Sequence, residues 1–110
     1  MVTTDKIYIS HIIEAINRVE KYIQDTDYEK FSEEHLLQDG VIRQLEIIGE
    51  AVKNLSLDFK NSIDIPWKAM AGMRDIVIHE YFEVDLQAVW DTVIQDIPVL
   101  KEKLKIFRIE

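Results

Sequence analysis

The sequence predicts an all-α protein, a four- to five-helix up-and-down bundle folded as one domain over residues 1–110. Three features dictate that class. Apolar residues recur at three- and four-residue steps through most of the chain, the period of helices buried on one side. Only 3 Gly and 2 Pro occur, too little turn chemistry for a many-stranded sheet. Hydrophobic residues make up 47% and charged residues 31%, a balance that can pay for a packed core and argues against disorder.

The first helix is read from Ile9, Ile12, Ile13, Ile16, Val19 and Ile23, with Thr4 or Asp5 as its expected cap. Glu14, Arg18 and Lys21 lie off that stripe and should meet water. The helix is expected to end near Asp25, before the polar stretch DTDYEKFSEEH. Ser32, followed by Glu33 and Glu34, is the expected start of the second helix, because acidic residues suit the positive end of a helix dipole. Its stripe is Leu37, Val41, Leu45, Ile48, Val52 and Leu55. Ile42 and Ile47 fall outside the stripe, and that surplus predicts a second contact, with another subunit. Gly49 permits close helix approach at some cost in helix propensity.

LDFKNSIDI reads as a loop. Pro66 suits a first helical turn, so the third helix is expected from Pro66 to Tyr81, with Gly72 as a point of bending. Asp85 is the expected cap of the fourth helix, whose stripe is Leu86, Val89, Trp90, Val93, Ile97, Leu100 and Leu104. Pro98 should kink that helix or split it in two. Trp67 and Trp90, each among apolar neighbours, are expected core anchors.

Several function classes are excluded by what the chain lacks. There is no cysteine, hence no disulfide, thiolate metal site or cysteine nucleophile. No apolar run approaches the roughly 20 residues that cross a bilayer. The start, MVTTDKIYISHIIEAI, lacks a basic segment and a small-residue cleavage site, so a cytoplasmic protein with no membrane association is expected. No glycine-rich phosphate loop is present, and HEYFE lacks the second histidine of a zinc HExxH motif. His11 and His35 are isolated and read as surface residues. Neither a metal nor a cofactor is expected. The formal net charge of -8 repels phosphate-rich ligands on average. A nucleic-acid role therefore needs a local positive patch or a second subunit, while a basic protein partner is compatible.

The stretch that could carry chemistry is GMRDIVIHEYF, residues 72–82. Arg74 and Tyr81 are seven apart and share a helix face, whereas His79 points about 140° from Arg74 on an ideal helix. The three converge only through an irregular helix, a long reach by Arg74, or a second subunit. An imidazole can take a proton from a ribose 2′-hydroxyl or give one to a leaving 5′-oxygen, and a guanidinium can hold the phosphate. That route to RNA cleavage requires no metal. Asp75 and Glu80 could orient either group. Spacing alone favours the packing alternative, in which Arg74 extends to solvent, His79 is a hydrogen-bonded core residue and Tyr81 keeps its hydroxyl at the surface. Arg43 is a candidate supporting cation, although an ion pair with Asp39 or Glu46 is its more ordinary role.

From about Ile7 to Leu104 the chain resembles HepT-like members of the HEPN superfamily. The segments that carry the likeness are HIIEAINRVEKY, DGVIRQLEIIGEAVKNL, IPWKAMAGMRDIVIHEYF and VDLQAVWDTVIQDIPVL, with Arg-x-x-x-x-His-x-Tyr matched by Arg74, His79 and Tyr81. The resemblance implies a homodimer whose paired motifs form one cleft. It implies the toxin half of a type VII toxin–antitoxin pair, a metal-independent endoribonuclease with Arg74 and His79 as the catalytic pair. It also implies a minimal nucleotidyltransferase antitoxin that transfers AMP to Tyr81. The position after the arginine is usually polar in such proteins, often asparagine, and Asp75 stands there as the supporting residue. Basic character is then expected around the paired Arg74 residues, with Arg43 and Lys68 assisting. The alternative is a non-catalytic helical module that docks a nucleotidyltransferase or binds RNA without cutting it.

Overall fold

Two long helices frame the protein. The computed structural model describes residues 3–72 and 85–107. In chain order the elements are α1 (Thr3–Tyr22), α2 (Tyr28–Glu33), α3 (His35–Asn54), α4 (Leu57–Ser62), α5 (Trp67–Ala71), α6 (Leu86–Asp91), a π-helical turn (Thr92–Asp96), α7 (Ile97–Leu104) and a 3₁₀ turn (Lys105–Phe107). No strand occurs among the described residues, and the all-α expectation holds.

α1 and α3 run antiparallel. Tyr22 lies against Gly40 at one end, and Asp5 meets Ser56 at the other. The stripes read from the sequence face each other: Ile9, Ile12, Ile16 and Val19 from α1, and Val41, Leu45, Ile48 and Val52 from α3, are all buried. Val89, Val93, Ile97, Leu100 and Leu104 complete the core from the C-terminal helices. Glu14 and Arg18 are exposed as expected and form an i,i+4 ion pair at 2.7 Å, an arrangement that contributes only a few tenths of a kcal/mol, about 0.3–0.5.

The polar linker holds a helix that the apolar period does not announce. α2 is capped by Asp27, whose Oδ1 accepts from the Lys30 N–H at 2.9 Å. Ser32 is therefore not a helix start; it lies inside α2 and its hydroxyl donates to the Glu29 carbonyl at 2.7 Å. Where α2 ends, the Phe31 carbonyl accepts from the Glu34 N–H at 3.4 Å and from Gln38 Nε2 at 2.9 Å. Phe31 itself is fully buried, 5.2 Å from the Trp90 ring.

LDFKNSIDI is likewise not a plain loop. Ser56 caps α4, its Oγ accepting from the Phe59 N–H at 3.1 Å, and Phe59 is buried. The Trp67 indole donates to the Lys60 carbonyl at 2.8 Å and so satisfies the end of α4. Trp67 and Trp90 both pack partly buried on the core, as anchors should.

Asp5 corrects another expectation. Thr4 and Asp5 lie within α1, not at its cap, and Asp5 is 2% exposed. Its carboxylate accepts from the Ser56 N–H at 2.8 Å and from the Ser56 hydroxyl at 2.6 Å. The positive end of α1 adds to its stabilisation. This ties the start of α1 to the start of α4. Asp5→Ala is expected to lower stability by about 1.5–3 kcal/mol, the range for hydrogen bonds to a charged acceptor. Thermal unfolding followed by circular dichroism measures it, and an unchanged midpoint contradicts it.

Pro98 divides the last helix as expected, by way of a π turn. The Ile97 N–H donates to the Thr92 carbonyl, a five-residue step. Proline has no N–H and its ring collides with the carbonyl four residues back; one extra residue in the preceding turn relieves that conflict. Partial burial raises the Asp96 carboxyl above its ordinary range at the end of this turn.

Ile42 and Ile47 are half-buried against the chain's own core, so the apolar surplus of α3 is partly absorbed within the protomer. Among the described residues no helix is long and apolar enough to cross a membrane.

Candidate functional site

Arg74, Asp75, His79 and Tyr81 lie outside the described residues. The described structure gives the two elements that hold the ends of their segment. On the entry side, Met70 is 1% exposed and α5 packs on α3. α5 begins after Pro66, whose carbonyl accepts from the Met70 N–H at 3.1 Å. The expected first turn thus starts at Trp67, one residue later than read. Gly72 keeps a right-handed helical conformation, with φ of -66°, and its N–H donates to the Lys68 carbonyl at 3.1 Å. On the exit side, Asp85 caps α6 as the sequence predicts, its Oδ1 accepting from the Ala88 N–H at 3.0 Å.

Of the supporting cations, Arg43 and Lys68 are both exposed. Arg43 forms no ion pair with Asp39 or Glu46 among the described residues, so its guanidinium is not committed to the ordinary surface role. It lines a groove of about 350 Å³ between α1 and α3 together with Tyr8, His11, Glu46 and Ile47. The Tyr8 and His11 rings meet edge to face at 6.0 Å. A cation, two rings and an aliphatic floor are groups that can take a nucleotide, with the carboxylates of Glu46 and Glu50 tempering its appetite for phosphate.

Sequence reading treats His11 as isolated; the antiparallel pairing of α1 and α3 brings it to the groove that Arg43 lines. The signal was present in the spacing, because Tyr8, His11 and Ala15 share one edge of α1, but it needs the register with α3 to become visible. His11 and His35 are exposed as expected. No group of three or more His, Cys, Asp or Glu side chains among the described residues is placed to hold a metal ion.

The description "Ribonuclease HepT-like" matches residues 12–107. The chain belongs to that family. Membership agrees with the resemblance carried by the four sequence segments, and it makes the chain a ribonuclease of the HepT-like kind. The protein named "Probable ribonuclease HepT" from Thermococcus cleftensis is 46% identical over 109 residues, covering 98% of this chain and 99% of that protein. The "Gamma-glutamylcyclotransferase and putative RNase" of Methanocaldococcus jannaschii is 50% identical over 100 residues, covering 90% of this chain. The chain spans 45% of that longer protein. No solved structure matches the HepT-like chain.

Proposed function

We propose that this HepT-like chain, one domain over residues 1–110, is the toxin half of a type VII toxin–antitoxin pair. In this reading it cuts RNA in the cytoplasm as a homodimer, without a metal. The observation that carries it is the family match over residues 12–107, which contains Arg74, His79 and Tyr81 in the spacing noted above.

The chemistry follows from the groups. The imidazole of one His79 takes the proton of a ribose 2′-hydroxyl, whose oxygen attacks the adjacent phosphorus. The 5′-oxygen of the next nucleotide leaves with a proton, and a 2′,3′-cyclic phosphate remains. Arg74 holds the phosphate oxygens as charge builds in the crowded transition state. Asp75 supports the orientation of these groups. Two copies bring the second imidazole and guanidinium to the same phosphodiester. Arg43 supplies a further cation to the RNA path.

Tyr81 is the control point. A minimal nucleotidyltransferase partner transfers AMP from ATP to the phenol oxygen, and pyrophosphate leaves. The adenylyl group brings bulk and negative charge beside the cations that substrate phosphate needs. Incubation of the chain with ATP and such a partner is expected to add adenylyl mass to the peptide containing Tyr81. The modified chain should no longer cut RNA, whereas unmodified chain should cut with or without a chelator. Mass on another residue, or cleavage that stops when metal is removed, contradicts the reading. The formal charge of -8 favours a second reading, a non-catalytic module that docks the nucleotidyltransferase or holds RNA. Chelator-resistant cleavage by the purified chain decides between them.

A further inference from the structure

We propose that an apolar notch where α1 meets the start of α3 docks a basic segment of another protein, one that carries a large apolar anchor between lysines or arginines. The notch holds about 440 Å³ and is lined by Tyr22, Glu34, Leu36, Leu37 and Gly40. Leu36 is 87% exposed, the most exposed of the large hydrophobic side chains among the described residues. Tyr22 is 37% exposed beside it. Gly40 lines it too: a Cβ there would stand 3.3 Å from the Tyr22 ring, so a larger residue would push that ring back by a few tenths of an ångström. The exposed leucine and the partly exposed tyrosine that line it give an apolar side chain of a partner a seat.

Charge selects the occupant. Residues 20–39, the stretch that builds the notch, hold seven carboxylates against Lys21 and Lys30, a formal -5 of the chain's -8. Glu20 is paired with Lys101 at 2.8 Å. Asp25, Asp27, Glu29, Glu33, Glu34 and Asp39 are exposed and form no ion pair among the described residues. Asp25, Glu33 and Asp39 each stand three positions from a residue that lines the notch. Glu34 itself lines the notch; a phosphate backbone is repelled by this acidic stretch, and no group of carboxylates among the described residues is placed to hold a metal ion. A cationic peptide is drawn to it, and an apolar side chain in the notch turns that attraction into a defined position. The inference concerns protein docking and stands independently of RNA cleavage.

A random-peptide display library selected on the full chain, with counter-selection on Leu36→Asp, tests this. The recovered peptides are expected to carry a leucine or aromatic anchor flanked by lysine or arginine. Fluorescence anisotropy with one such labelled peptide should show at least a tenfold weaker affinity for Leu36→Asp and for the Glu33→Lys/Glu34→Lys pair. Replacing the anchor by alanine should weaken it as much, and amide shifts on binding should centre on Leu36, Leu37 and Gly40. Circular dichroism verifies that the variants fold, which the exposure of all three positions favours. The proposal is overturned if selection yields no basic apolar peptide, or if the alanine-anchor peptide binds as well. It is equally overturned if a single-stranded RNA shifts the same amides, or if the chain self-associates through this face and Leu36→Asp merely abolishes that association.

Discussion

His79→Ala is expected to lower the rate of RNA cleavage by about 10²–10⁴-fold, the usual range for removal of a general acid or base. Arg74→Ala is expected to cost about 10²–10³-fold, since a transition-state cation acts much like an oxyanion donor. The purified chain, freed of any nucleotidyltransferase, should be assayed on a labelled single-stranded RNA with chelator present. The two losses should not multiply. Groups that act on one phosphodiester fail as a unit, so the double variant should be about as slow as the worse single one. Arg74→Lys should recover only part of the rate, because an ammonium cannot grip two phosphate oxygens side by side. Binding of the RNA should survive His79→Ala, which separates lost chemistry from lost affinity. If both alanine variants cut as fast as the parent chain, the assignment of the pair to catalysis is wrong.

The long helices were legible because their apolar period is long enough to be read without any tertiary information. Ile9 to Val19 and Val41 to Val52 announce their faces, and each face is buried where it was read except at Ile13, which is partly buried at its edge. Asp85 was legible for a local reason: a carboxylate just before an apolar stripe satisfies a free N–H whatever the rest of the fold does. α2 and α4 were not legible. Each is six residues long, less than two turns, and offers one aromatic residue to the core instead of a stripe. Such helices are held by tertiary contact, not by propensity, so the polar residues around Phe31 and Phe59 concealed them.

Asp5 failed for a related reason. A cap and a buried tether look identical in sequence; its partner Ser56 lies 51 positions away. The candidate catalytic residues were named from the motif within its surroundings, since spacing by itself left His79 turned away from Arg74. Arg43 illustrates the opposite case. Helical spacing offered it Asp39 and Glu46, yet the structure leaves those pairs unmade and places the guanidinium on the α1–α3 groove.

Phe31→Ala is expected to be the most damaging truncation in the described core, with a loss of about 3–5 kcal/mol. Phe31 is completely buried although it sits in the most acidic part of the chain. Its ring lies 5.2 Å from that of Trp90, and Trp90 also meets Tyr28 at 6.3 Å. One aromatic cluster thus joins α2 to α6, and few other core side chains come from either short helix. Removing the ring opens a cavity that these two elements cannot close by sliding, because Asp27 and Asp85 fix their first turns. A domain of this size has a total stability of about 5–15 kcal/mol, so the loss is a large share of it. Urea unfolding monitored by Trp90 and Trp67 fluorescence measures the change. Phe31→Leu should recover about half, because it refills part of the volume without the ring stacking. A midpoint for Phe31→Ala within experimental error of the parent would mean that α2 contributes no core, and that the acidic stretch is held to the bundle by its caps alone.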